Sequence, residues 1–170
     1  TNLSPNVTIV SNTAVEANEW THVAVTADRD GDATLFINGR EVGSASIAGD
    51  DGTNVAGDLF IGHDSDNVSN VENPFEGMID EVRIWGEVRT PAEIFANQGL
   101  QLGSEETNLN AYYRFDDQAT VDISVADLSG NGNVALLGGL NGAGDEEPVF
   151  INHLGKAFEF NGGNAIEIAD

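Results

Sequence analysis

The chain has no cysteine, one methionine and four prolines, and only six of its 170 residues are basic, with Lys156 the single lysine. Without thiols there is no disulfide, no thiolate nucleophile and no zinc site of the cysteine type. Aromatic residues make up 7% of the chain, which leaves few rings for a ligand once a core is built. No apolar run approaches the roughly 20 residues of a membrane-spanning helix, so membrane insertion is not expected. The scarcity of bases against 29 acids gives a formal net charge of -23. Such a surface repels phosphate backbones and anionic headgroups, which argues against nucleic-acid and membrane-surface roles.

The same charge points elsewhere. Clustered carboxylates are eased by a divalent cation, and acid-rich, lysine-poor surfaces suit salty surroundings that screen self-repulsion. A marine or extracellular setting follows as an expectation. The chain starts at Thr1 without methionine and shows no secretion leader, and it reads as a piece of something longer. A hydrophobic content of 40% over 170 residues suits one globular domain.

Short β-type runs between turn signals dominate. In "WTHVAVTA" (20–27) Val23 and Val25 fall on one face and Trp20, His22, Ala24 and Thr26 on the other. "DRDGD" (28–32) follows as an acidic turn, and Asn38-Gly39 between "LFI" and "REV" predicts a two-residue hairpin, since both turn positions want positive φ. "DLFIGH" and "GMIDEVRIW" read as further strands. "TPAEIFANQG" predicts a short helix: Thr90 as N-cap, Pro91 at the first helical position, Glu93 closing a capping box and Gly99 as a left-handed C-cap. Ile94 and Phe95 are expected to pin it. "AYYRFDD" reads as a strand with aromatic alternation, "DLSGNGNVALLGG" as a Gly/Asn loop feeding a strand, and "KAFEFNGGNAIEIAD" as two short strands. The fold class is therefore all-β, a two-sheet antiparallel sandwich with one short helix.

Six stretches, "EWTHVAVTADRDGDATLFINGREVGS", "LFIGHD", "FEGMIDEVRIWGEVRTPAEI", "AYYRFDD", "DLSGNGNVALLGG" and "GKAFEFNGGNAIEIAD", together resemble the laminin-G-like jelly rolls of the concanavalin A-like lectin/glucanase superfamily. In such domains the last three elements open the module and the first three close it. Here the closing half (about 1–100) precedes the opening half (about 108–170), either by circular permutation or because the chain is a window cut out of phase from a tandem array. The central tryptophan-bearing strand that usually follows "IEIAD" has no counterpart, although "SPNVTIVSNTAV" offers a strand before "WTHVAV". A missing strand leaves an open edge. A neighbouring copy can fill it by strand exchange, the N-terminal segment can close it, or adjacent termini can let the permuted order close by itself.

Retaining glycoside hydrolysis needs two carboxyls about 5 Å apart facing one bond. Uninterrupted strand alternation in "EGMIDEVRI" puts Glu76, Met78, Asp80, Val82 and Ile84 on one face and Ile79, Glu81, Arg83 and Trp85 on the other, so Asp80 and Glu81 diverge and no hydrolase pair forms. Glu81 is expected to partner Arg83 or a neighbouring strand. His22, His63 and His153 are scattered, with no serine elbow. Asp80, inward among apolar neighbours, needs either a cation or loop amides. The resemblance implies one structural calcium held by Asp80 with Asp127, Asn131 and Asn133 of "DLSGNGN"; the alternative is hydrogen bonding from that loop without a metal.

Asp28, Asp30 and Asp32 lack the later glutamate of an EF-hand and read as a hairpin turn. Asp64, Asp66 and Asn67 stand in a strand-end loop, where they are candidates for a ligand rim. Trp85, Tyr112 and Tyr113 are the rings considered for sugar stacking, with Trp20 and Trp85 otherwise packing sheet edges. Asn6 and Asn67 fit the N-glycosylation pattern. The expectation is a non-enzymatic, extracellular or cell-surface adhesion or ligand-binding module, calcium-stabilised, that meets a glycan or protein ligand; its alternative is a self-assembling fibre subunit that exchanges strands with its neighbours.

Overall fold

The structure is a computed structural model, and it describes residues 7–49, 59–62, 75–103, 106–116, 124–137, 149–153, 155–161 and 166–168. Strands in antiparallel sheets and one short helix make up its regular structure, the content of an all-β sandwich. The chain divides into two compact units, Thr1–Asn54 with Glu87–Leu102, and Val55–Gly86 with Gly103–Asp170.

The first unit holds β1 (Val23–Ala27), β2 (Asp32–Ile37) and β3 (Arg40–Ser46), hydrogen-bonded in that order. Asn38 and Gly39 adopt φ of 48° and 71°, the two positive angles of the predicted hairpin turn. Gly39 is required a second time. A Cβ there would lie 2.8 Å from Phe95 Cδ2 and 2.9 Å from Phe95 Cα. Asn38 also fixes the start of β1, because its Oδ1 accepts from His22 N–H at 3.0 Å while its own N–H donates to His22 O at 2.8 Å. Val42 is an extra residue in β3, since Phe36 pairs with Glu41 and Leu35 with Gly43. Ala33, Phe36, Ile37, Val42 and Ile94 are the buried apolar residues of this unit.

The helix α1 (Pro91–Asn97) carries both halves of the capping box: Thr90 N–H donates to Glu93 Oε2 at 2.8 Å, and Glu93 N–H donates to Thr90 Oγ1 at 3.3 Å. Its end differs from expectation. Gln98 is a right-handed C-cap (φ −59°, ψ −27°), Gly99 does not take a positive φ, and Leu100 N–H closes a three-residue turn onto Asn97 O at 3.2 Å. A tightened last turn satisfies a terminal carbonyl without a left-handed residue. Ile94 is buried, whereas Phe95 is mostly exposed and touches the hairpin at Gly39.

The second unit contains β4 (Leu59–Ile61), β5 (Glu76–Ile79), β6 (Val82–Trp85), β7 (Leu109–Tyr113), β8 (Ser124–Val125), β9 (Ala135–Leu137), β10 (Val149–His153), β11 (Gly155–Asn161) and β12 (Ile166–Ile168). Their sheets run β10-β11-β5, β4-β12-β9-β8 and β6-β7. Strands from the first hundred residues thus pair antiparallel with strands from beyond residue 108: β4 with β12, β5 with β11 and β6 with β7. Ala111, Tyr113, Phe115 and Ala135 form the buried cluster, and Ile61, Ile79, Val82, Ile84 and Val125 pack on it. The Tyr113 and Phe115 rings stack with centroids 6.3 Å apart.

Candidate functional site

Two polar arrangements flank this core within the second unit. One forms where the expected single strand "EGMIDEVRIW" breaks. Glu81 takes φ of 55°, and the flanking segments become β5 and β6, which pair with different partners. The break shifts the alternation by one residue. Ile79, not Met78, packs on the core with Val82 and Ile84, and Met78 is 39% exposed. The uninterrupted alternation that separated Asp80 from Glu81 therefore does not hold at this point.

Glu81 becomes the centre of a charged cluster. Its Oε2 accepts from Arg83 Nη2 and from the Tyr112 hydroxyl, each at 2.7 Å, and its Oε1 lies 3.8 Å from Arg114 Nε. Arg114 in turn pairs with Asp116, and the Arg83 guanidinium sits 5.5 Å from the Tyr112 ring centroid. Register explains the grouping: Arg83 is directly opposite Tyr112, on the face away from the Val82–Tyr113 and Ile84–Ala111 pairs. Glu81 thus has its expected partner in Arg83, together with a neighbouring-strand hydroxyl. Arg114 and Asp116 are not among the candidates the sequence suggests, and Tyr112 is there only as a ring for sugar stacking. Their spacing of two along "AYYRFDD" is the signal that groups them.

Asp80 is poorly served here. Among the described residues one donor reaches it, the Glu81 N–H on Oδ1 at 2.8 Å. Burial, with the charges of Glu81 and Asp116 acting in the same direction, pushes its carboxyl up to about 6 against the pull of that single bond and of Arg114.

The second arrangement is the loop that "DLSGNGN" forms over β7. Asp127 Oδ1 accepts from Tyr112 N–H at 2.9 Å and Ser129 N–H at 2.8 Å. Its Oδ2 accepts from Ser129 Oγ at 2.8 Å and Asn133 N–H at 3.0 Å. Burial works to raise its carboxyl, but these bonds outweigh it and hold the group below the usual carboxylate range. Gly130 and Gly132 supply the positive φ (89° and 82°) that wraps the loop round Asp127. Asn131 Nδ2 donates to Leu109 O at 2.7 Å and Asn110 O at 3.0 Å, and Asn133 Nδ2 donates to Asn110 O at 2.8 Å. The Tyr113 hydroxyl donates to Asn133 O at 2.5 Å, and burial pushes that phenol up to about 12.

Of the four residues considered for calcium, the structure brings Asp127, Asn131 and Asn133 into one loop and leaves Asp80 in the other cluster. At Asp127 the donor set does not fit a cation. The carboxylate oxygens face N–H and O–H groups, and both asparagines present nitrogen, not oxygen, to the strand. Among the described residues no three His, Asp or Glu side chains gather where they would share an ion.

The remaining candidates fall as follows. Asp64, Asp66 and Asn67 lie outside the described residues, as do Asn6 and His63. Asp28 caps its own turn, accepting Asp30 N–H on Oδ1 at 3.1 Å and Gly31 N–H on its carbonyl at 2.9 Å, so "DRDGD" is the hairpin connection it was read as. Tyr112 and Tyr113 are not available for stacking, being 1% and 0% exposed with their hydroxyls engaged. Trp20, in contrast, is 62% exposed and directly follows Asn18 and Glu19, both exposed, in a turn where Asn18 takes φ of 65°.

Comparison with known proteins agrees with the fold. A solved structure of a "putative carbohydrate binding protein" from Bacteroides ovatus is similar to this chain, with a TM-score of 0.60 and 22% identity over 94% of this chain and 39% of the other. The chain thus spans about two fifths of that protein's length. No curated protein matches the sequence. A laminin-G-type family model, described as the concanavalin A-like lectin/glucanases superfamily, matches residues 1–95, more than half of the chain. This chain belongs to the concanavalin A-like lectin/glucanase superfamily.

Proposed function

We propose that the chain is a non-enzymatic carbohydrate-binding module of an extracellular or cell-surface protein, acting in adhesion. The superfamily and the carbohydrate-binding description of the Bacteroides ovatus protein support the ligand class. The observation that carries the reading at the level of residues is Trp20, a ring 62% exposed next to the amide of Asn18 and the acid of Glu19 in the chain. An indole face stacks on the C–H face of a pyranose, while an adjacent amide and carboxylate take up its hydroxyls. The net charge of -23 favours neutral over anionic glycans.

The non-enzymatic part rests on Glu81. A nucleophilic carboxylate needs an oxygen free to attack, and Glu81 is held by Arg83 and the Tyr112 hydroxyl on one oxygen and faces Arg114 with the other. The test is a neutral-glycan array followed by titration of Trp20→Ala. Binding by the parent chain with at least a tenfold loss in the variant is expected. The melting temperature should move by less than about 2 °C, as for an exposed position. Binding to no glycan on a broad array, or hydrolysis of a bound polysaccharide, would overturn the reading.

A second reading has its own observation. Val23 and Val25 on β1, the outer strand of β1-β2-β3, are 55% and 62% exposed. Among the described residues β1 pairs on one side only, and such an edge with apolar side chains suits strand exchange with a second copy of the chain. Light scattering in high salt, where the mutual repulsion of copies is screened, should then show assemblies that Val25→Lys abolishes. A monomer at all concentrations would remove this reading.

A further inference from the structure

We infer that Asp127 closes the 127–133 loop on β7 as a hydrogen-bonded clamp in the place where the fold family would lead one to expect a cation. Calcium takes six to eight oxygens whose lone pairs converge on it. A carboxylate offers about four lone-pair sites. At Asp127 these meet the N–H groups of Tyr112, Ser129 and Asn133 and the hydroxyl of Ser129, all between 2.8 and 3.0 Å. A cation entering here would meet the positive ends of those dipoles.

The asparagines tell the same story from the other side. The neighbours of Asn131 Nδ2 include the carbonyls of Leu109 and Asn110, and that of Asn133 Nδ2 is the Asn110 carbonyl. Carbonyls only accept, so the nitrogen ends must face the strand. The loop therefore uses its carboxylate as acceptor for its own backbone and its amides as donors to β7. Several contacts fasten it to that strand, among them Tyr112 N–H on Asp127, the Asn131 and Asn133 amides on the 109–110 carbonyls, and the Tyr113 hydroxyl on Asn133 O.

The experiment uses the full chain, dialysed against chelator and then supplied with calcium chloride or, at equal ionic strength, magnesium chloride. Both salts will raise the melting temperature of so acidic a chain by screening, so the readout is the difference between them. The clamp predicts equal shifts with the two salts. It also predicts that the amide protons of Tyr112, Ser129 and Asn133 keep the same chemical shifts and slow hydrogen exchange in chelator as in calcium. A calcium-specific rise in melting temperature with movement of those three amide signals, both lost in Asp127→Asn, would overturn it. If that variant fails to fold, the amide signals of the unaltered chain decide by themselves.

Discussion

Asp127 and Asp80 are both partly buried aspartates in the second unit, and the chain treats them in opposite ways. Among the described residues three backbone N–H groups and a hydroxyl surround Asp127, while a single N–H reaches Asp80, with Glu81 and Asp116 adding like charge. Burial costs a carboxylate in both places, and the number of donors decides the outcome. Asp127 ends below the ordinary carboxylate range and Asp80 rises to about 6. Burial alone thus says little about an acid; the donors around it must be counted.

The comparison breaks most visibly at Asp127. Asp127→Ala leaves the N–H groups of Tyr112, Ser129 and Asn133 without this acceptor and is expected to cost about 3 kcal/mol, a fall in melting temperature on the order of 10 °C. Asp127→Asn keeps one oxygen and should fall between that variant and the parent. Next in size is Glu81→Gln, which keeps the shape but removes the charge that Arg83 and Arg114 face. A loss of about 1–2 kcal/mol in denaturant unfolding is expected for this half-buried cluster.

The smallest effect has the opposite sign. The carboxyl of Asp80 is raised on folding, so its contribution to stability is fully present below its unfolded value of 3.8 and is lost as pH rises through about 6. Asp80→Asn removes that loss. The variant should melt about 2–4 °C above the parent at pH 7.5, the shift expected for roughly 1 kcal/mol, and level with it below pH 4. Asp127 runs the other way, since its stabilisation is present above the ordinary carboxylate value and fades as pH falls through its lowered one.

The same contrast marks what the sequence could reveal. The Asn38-Gly39 hairpin and the Thr90–Glu93 capping box were legible because their chemistry is local: two positive φ angles, and two reciprocal bonds three residues apart. The Asp127 loop was half legible. Its glycines, asparagines and acid announced an acidic polar loop, but whether amides or a metal would meet the acid depended on Tyr112, fifteen residues earlier.

The break at Glu81 was not legible. A left-handed glutamate inside a β-type run has no local signature, and it arises because β5 follows β11 while β6 follows β7. That one angle undid the alternation used to place Asp80. The rings show a related limit. Tyr112 and Tyr113 looked available until the register buried both, whereas Trp20, expected to pack a sheet edge, is the exposed one.

The most direct test of this account is a carbon-detected NMR titration of the aspartate carboxyls from pH 2 to 8. Asp80 is predicted to titrate near 6 and Asp127 below the ordinary carboxylate range, with the Asn133 amide signal following Asp127. An ordinary midpoint for both groups, or Asp127 titrating above Asp80, would contradict the claim that donor count separates them.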